Sequence, residues 1–265
     1  MPVNALLLEW LRKACAEYRY DVVALYSHAG NHAWPLSARD ASELETKLGA
    51  GGHFLPLPKE PAALANILEV SIVDFLIRRL RDVAGGEASR GTERGYPDIE
   101  IHGAHFGGGH HAIDVKIAMR GKLARAKPGK PQRVSKNTQS RITLYTGNTY
   151  FKYPSVRWPN TFRPFDEYES HLDVIGIYTL NEETNSRVDQ LELIVQEPWS
   201  IASKQRSSTT REYIGAVNEI AALREGRGEF AKEADFYKFW RSFPFKIGAA
   251  TSKLLQKLLA AQKKQ

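Results

Sequence analysis

At 265 residues, 42% of them hydrophobic, the chain has a globular composition and enough length for a substantial core. Its formal charge of +7 favours a polyanionic partner and suits nucleic acid better than an acidic metabolite. The sole cysteine, Cys15, permits no intrachain disulfide, and Leu6, Leu7 and Leu8 are followed too soon by Glu9, Arg12 and Lys13 for a signal peptide or membrane span, so a cytoplasmic protein is expected.

Residues 4 to 18 place Leu7, Leu8, Leu11 and Cys15 near one face, which predicts a packed helix. Asp21 to Pro35 reads as a hairpin, Val22 to Tyr26 turning through Gly30 and Asn31 into Trp34. Ser37 to Pro61 is polar and rich in Gly and Pro, so a loop is expected there, with one short helix around Ala41 to Leu48. Pro61 to Val83 reads as a helix, and on it Glu69 precedes Ile72, Val73, Leu76 and Leu80 on nearly the same side. A carboxylate in an apolar stripe is costly unless it meets a cation, a donor or a metal; the alternative is a boundary residue bending out to solvent. Gly85 to Gly95 is expected to be a loop carrying Arg90 and Arg94.

Tyr96 to Ile117 is the stretch with the most chemistry. Ile99 and Ile101 alternate with Asp98, Glu100 and His102, and Ile113, Val115 and Ile117 alternate with Ala112, Asp114 and Lys116, the period of two half-buried strands. Gly103 to Gly109 holds four glycines and should turn the chain near Phe106, the midpoint between Asp98 and Asp114. The two carboxylates then face each other on a polar face, an unfavourable pairing unless a cation lies between them, with Lys116 beside them. Two hard oxygen donors and an ammonium on one hairpin suit metal-assisted phosphodiester hydrolysis; the plainer alternative is an exposed hairpin with a surface Asp/Lys pair. The histidines at 102, 105, 110 and 111 cluster at a Gly-rich tip that supplies no defined zinc geometry, and they are expected in solvent.

Met119 to Arg141 contains Arg120, Lys122, Arg125, Lys127, Lys130, Arg133, Lys136 and Arg141 and no acid. Such a segment either follows a phosphate backbone or is a solvated loop. Ile142 to Phe151, His171 to Leu180 and Gln190 to Ile201 have strand composition and are expected to join the hairpin in one mixed sheet, with Trp158 to Phe165 as a crossing loop. Ser200 to Glu212 offers Lys204, Gln205, Arg206, Ser207, Ser208, Thr209, Thr210 and Arg211, side chains of the types that bond base edges and phosphates; a turn with no partner is the alternative. Asp235 to Phe243 and Ala249 to Lys264 read as helices, the last either packed on the body or lining DNA. No repeat or linker marks a second domain, so residues 1–265 are read as one.

Pro97-Asp98, fifteen residues, then Asp114-Val115-Lys116 resembles the Pro-Asp … Asp/Glu-X-Lys signature of type II restriction endonucleases. Further segments resemble the EcoRV-type members in order: Tyr20-Asp21-Val22, Trp34-Pro35-Leu36, Glu69, Thr143-Leu144, Pro164-Phe165-Asp166, Trp199, Ile214-Gly215 and Phe236 to Arg241. The similarity runs over roughly residues 20 to 245. It implies an α/β (α+β) fold with a mixed central sheet flanked by helices, and a homodimer on double-stranded DNA with a dimerisation element near 20–36. It further implies Mg²⁺-dependent cleavage at a specific site, Mn²⁺ substituting. On this resemblance Asp98, Asp114 and Glu69 are the metal ligands, and Lys116 assists the attacking water. Arg90 and Arg94 approach the minor groove and Lys204 to Arg211 the major groove. The Gly and Asn pattern of the family's major-groove loop is absent here, so the target sequence is not implied. Rival expectations are a structure-selective repair or junction-resolving nuclease, and a catalytically silent DNA-binding protein of the same fold.

Overall fold

The computed structural model describes residues 4–22, 24–27, 33–35, 41–49, 53–92, 95–121 and 135–262. In chain order the elements are α1 (Ala5–Glu17), β1 (Ala24–Ser27), β2 (Ala33–Pro35), α2 (Ala41–Gly49), β3 (His53–Pro56), α3 (Pro61–Leu80), β4 (Glu87–Arg90), β5 (Ile99–His102) and β6 (His110–Met119). They continue with β7 (Thr143–Thr146), β8 (Ser170–Leu180), β9 (Val188–Gln196), α4 (Pro198–Ile201), β10 (Ala202–Arg206), β11 (Tyr213–Ala216), α5 (Ile220–Glu225), α6 (Glu233–Ser242) and α7 (Ala249–Gln262).

The expected mixed central sheet is present, five strands in the order β4-β5-β6-β8-β9. β6 and β8 run parallel and the other neighbours antiparallel. One face is closed by α1 and α3: Leu7, Leu11, Ile72, Val73 and Leu76 pack with Ile99, Ile101, Ile113, Val115, Leu172 and Val174. Each fully buried aliphatic side chain of this layer stabilises the fold by roughly 1.5–3 kcal/mol. Asn4 caps α1 by accepting the Leu7 N–H at 3.1 Å, and its amide donates to the Phe106 carbonyl at 2.7 Å, fastening the helix to the hairpin tip. Pro61 opens α3, where its missing N–H costs nothing.

The structure corrects several expectations. Ile142 to Phe151 does not enter the central sheet: β7 pairs with β11 and β11 with β10 in a separate antiparallel sheet. This second sheet, with Tyr145, Phe151, Phe165, Phe236 and Trp240, covers the opposite face of the central one. The hairpin's polar face is therefore enclosed. Glu100, 4% exposed, receives a bidentate bond from Arg163 at 2.7 and 2.9 Å. Burial raises its pKa, but the guanidinium outweighs that and holds it below the usual range.

The segment expected as a strand to Ile201 ends at Gln196, because Pro198 begins α4. The region 37–61 forms its helix as α2 and adds β3, which pairs with β1. The expected loop 85–95 contains β4, an edge strand of the central sheet, and 200–212 is largely β10 and a turn. The strands of the 21–35 hairpin pair, with Tyr26 opposite Trp34, while its turn at Gly30 and Asn31 lies outside the described residues.

The four histidines are not all in solvent. His111 is fully buried, with Nδ1 at 2.9 Å from Ser170 Oγ and Nε2 at 3.1 Å from the Phe106 carbonyl. The carbonyl requires a proton on Nε2, so Nδ1 accepts from Ser170, and burial lowers the pKa of this neutral ring. His102 and His110 lie 3.7 and 3.2 Å from Glu87 and Glu100. Among the described residues, no three His, Cys, Asp or Glu side chains form a ready-made metal cluster.

Candidate active site

The turn near Phe106 sets the register. Ile99 pairs with Ile113 and Glu100 with Ala112, so extending the ladder by one residue brings Asp98 opposite Asp114, as the alternation predicts. Asp98 stands just before β5, and its Oδ2 accepts the Val115 N–H at 2.6 Å. Two anchors hold the turn that carries it. Gly91 donates its N–H to the Asp98 carbonyl at 2.8 Å, and a Cβ at Gly91 would fall 2.1 Å from the Pro97 carbonyl oxygen. Tyr96, which precedes a cis bond to Pro97, stacks on Tyr150 at 4.9 Å, and its hydroxyl lies 2.6 Å from His171 Nδ1. Burial lowers the His171 pKa to about 3. The ring is neutral, its Nε2–H donating to the Phe165 carbonyl at 3.1 Å, which leaves Nδ1 to accept from Tyr96.

Asp114 and Lys116 project from β6 on the same side. Asp114 is 5% exposed and receives a hydrogen bond from the Lys116 ammonium. α3 brings Glu69 to the same cleft, a cavity of about 830 Å³. Ala62 and Asn66 of α3, Thr143 and Thr146 of β7, and Thr251 and Leu254 of α7 also line it. The apolar stripe of α3 thus faces the sheet while Glu69, at its margin, looks into the cleft.

The electrostatics bind these groups together. Burial, and then the adjacent Asp114, push the Asp98 carboxyl up to about 9. Burial alone would lower the Lys116 pKa, but Asp114, Asp98 and Asp173 outweigh it and hold the ammonium above its ordinary value. Burial raises the Glu69 pKa, with Lys116 pulling it down and Asp114 pushing it up. Asp173, on β8 beside Asp114, is held well above the ordinary range by burial.

These residues suit a divalent cation. Asp98 and Asp114 are hard oxygen donors whose mutual repulsion a cation would relieve, and Mg²⁺ takes few protein ligands, filling its shell from water and phosphate. Glu69 lies across the same cleft as a further donor.

The sequence-predicted DNA contacts distribute differently. Arg90 lies on β4 and pairs with Asp74 of α3. Arg94, Lys127, Lys130 and Arg133 lie outside the described residues. Arg141 borders the cleft and donates to Gln205 at 2.9 Å. Lys204 is exposed on β10, 5.7 Å from the Phe230 ring centre. Arg206 pairs with Glu212 at 2.7 Å, and its second nitrogen lies 3.5 Å from the Thr209 carbonyl. Ser207 bonds Thr143 of the cleft wall at 2.7 Å, which brings this segment alongside the cleft. Ser208 Oγ accepts the N–H groups of Thr210 and Arg211, each at 3.2 Å. Arg211 is exposed, its guanidinium 3.3 Å from the Tyr213 hydroxyl.

Sequence reasoning missed Asp173, Tyr96 and His171. Asp173 could have been found by the signal that singled out Glu69, a charge within an apolar run, Leu172-Asp173-Val174-Ile175. Tyr96 and His171 give no such signal, because their pairing spans 75 residues.

Known proteins share this sequence pattern. Residues 31–261 match the family described as restriction endonuclease EcoRV. The type II restriction enzyme EcoRV of Escherichia coli is 23% identical over 213 residues, covering 74% of this chain and 80% of the relative.

Proposed function

The chain belongs to the EcoRV restriction endonuclease family, and from that membership we propose that it hydrolyses phosphodiester bonds of double-stranded DNA at a specific short site, with Mg²⁺ as cofactor and Mn²⁺ able to substitute. The observation that carries this reading is the convergence of Asp98, Asp114, Lys116 and Glu69 on one cleft.

Asp98 and Asp114 would hold the cation, with Glu69 as a second-cation ligand or organiser. The metal, when bound, neutralises charge growing on the scissile phosphate and the leaving oxygen and lowers the pKa of water. Lys116, kept charged by its acidic neighbours, orients the attacking water and draws the phosphate inward. The Val115 N–H fixes Asp98 against β6.

A palindromic target requires a two-fold protein, so the functional form is a homodimer built around the 20–36 hairpin. Contacts from Arg90, Arg94, Lys127, Lys130 and Arg133 and from Lys204 to Arg211 complete the DNA surface. The compartment proposed is the cytoplasm; among the described residues no helix is long and apolar enough to cross a membrane.

A plasmid digest in Mg²⁺ tests the reading. Discrete bands support restriction. Nicking confined to junctions or lesions would reassign the chain to structure-selective repair, and binding without any cutting would make it a silent DNA-binding protein.

A further inference from the structure

One more acid reaches the catalytic face of the sheet. Asp173 on β8 is the direct neighbour of Asp114 in the parallel register, so Asp98, Asp114 and Asp173 form a row across three adjacent strand paths. Asp173 is 1% exposed, and its Oδ2 has no hydrogen-bond partner among the described residues. Next to it on the same strand stand Leu172, Val174 and Ile175, all buried. A buried carboxyl with an open oxygen weakens a fold. A valine or isoleucine would serve the strand better, and a role in the adjacent site explains why an acid stands there.

The neighbour that gives it such a role is Lys116. Lys116 lies two residues beyond Asp114 on the same face and pairs with Ile175, which makes it the diagonal neighbour of Asp173. A long side chain spans that diagonal. In this structure its ammonium is bonded to Asp114. That bond and a divalent cation compete for the same carboxylate, and a cation beside Asp114 repels the ammonium. Lys116 then needs another acceptor within reach, and Asp173 offers an open oxygen. The two groups already act on each other: Lys116 favours the ionised form of Asp173, and Asp173 favours the charged form of Lys116.

We propose that Asp173 is a positioning residue that receives the Lys116 ammonium when a divalent cation engages Asp114. The inference rests on the proposed role of Asp98 and Asp114 as cation ligands. It gives the ammonium a second seat inside the site, so that binding a cation displaces Lys116 sideways along the strand face instead of expelling it toward solvent.

The test is Mn²⁺ binding to the DNA-free chain, followed by loss of the free-ion EPR signal, alongside melting temperature. Asp173→Ile is expected to bind Mn²⁺ about tenfold more weakly, because the ammonium stays on Asp114, while melting no lower than wild type. In a Lys116→Met background, where nothing competes for Asp114, the same change at Asp173 should leave Mn²⁺ affinity within about twofold. Unchanged affinity in Asp173→Ile alone would overturn the inference. An equal loss in the Lys116→Met background would also overturn it, by making Asp173 a direct support of the ion, and a large fall in melting temperature would assign it to the fold. A wild-type chain that binds no Mn²⁺ would overturn the cation reading itself, and the inference with it.

Discussion

Asp98 and Val115 are joined across the hairpin by a hydrogen bond of 2.6 Å, from the backbone N–H of the residue that follows Asp114 to the Asp98 carboxylate. That bond fixes one acid against the strand bearing the other, and the closeness of the two acids has a consequence for pH. The folded chain holds the Asp98 proton to about pH 9, whereas an unfolded chain releases it near the ordinary value of 3.8. The raised pKa contributes stability that is full below about pH 4 and is lost as pH rises through about 9. Metal-free melting temperatures measured from pH 5 to 9 should therefore fall more steeply for wild type than for Asp98→Asn. Parallel curves would mean that Asp98 is ionised in the folded chain.

Glu69 should matter for turnover more than for folding. Its carboxylate sits at the cleft, outside the packed stripe of α3, and burial already disfavours its charge. Glu69→Gln keeps the shape, so melting should stay within a few degrees while Mg²⁺-dependent cleavage falls at least about tenfold. Cutting at the wild-type rate would make Glu69 a bystander at the cleft rim.

The basic charge should appear as salt dependence. Replacing Lys127, Lys130 and Arg133 together by neutral residues should reduce the slope of log affinity against log salt by about 0.9 for each phosphate that is no longer neutralised. DNA binding in Ca²⁺ across a salt series measures this, and an unchanged slope would remove the segment from the interface.

Arg206 and Arg211, alike in sequence, differ in the structure. Arg206 is paired with Glu212, whereas Arg211 is exposed beside Tyr213. Arg211→Ala should therefore lower discrimination between the target and single-base variants by about 1–3 kcal/mol, the worth of a bidentate guanine bond. Competition binding with a substituted oligonucleotide panel decides; uniform weakening on every sequence would make Arg211 a phosphate ligand.

The register of the candidate site was legible because two strong local signals agree. Strand alternation and a glycine-rich turn centred on Phe106 together leave one pairing for Ile99 and Ile113, and with it the position of Asp98 opposite Asp114. The stripe below Glu69 made α3 equally plain. What escaped depends on distant partners. β4, Glu-Ala-Ser-Arg, has no apolar alternation and is a strand because β5 offers it an edge. β7 has the composition of a central strand, and its membership of a second sheet is decided by Tyr213 to Gly215, about seventy residues away. His111 looks like part of a solvated tip, yet Ser170 and the Phe106 carbonyl satisfy both ring nitrogens and allow it inside. Asp173 carried the same local signal as Glu69, a charge within an apolar run, but its place beside Asp114 is decided by the parallel pairing of β6 with β8.

The proposed cation site of Asp98 and Asp114, at which DNA would be cut, stands or falls with Asp114→Ala. Without metal the Asp114 carboxylate opposes an approaching phosphate, so removing it should leave metal-free DNA binding equal or tighter. With Mg²⁺ the same variant lacks a ligand, and cleavage should fall by orders of magnitude. Measured on one folded preparation, cleavage should thus collapse while metal-free binding is kept or strengthened. Cleavage near the wild-type rate would contradict the cation site, and loss of metal-free binding would show that Asp114 maintains the DNA-binding surface instead.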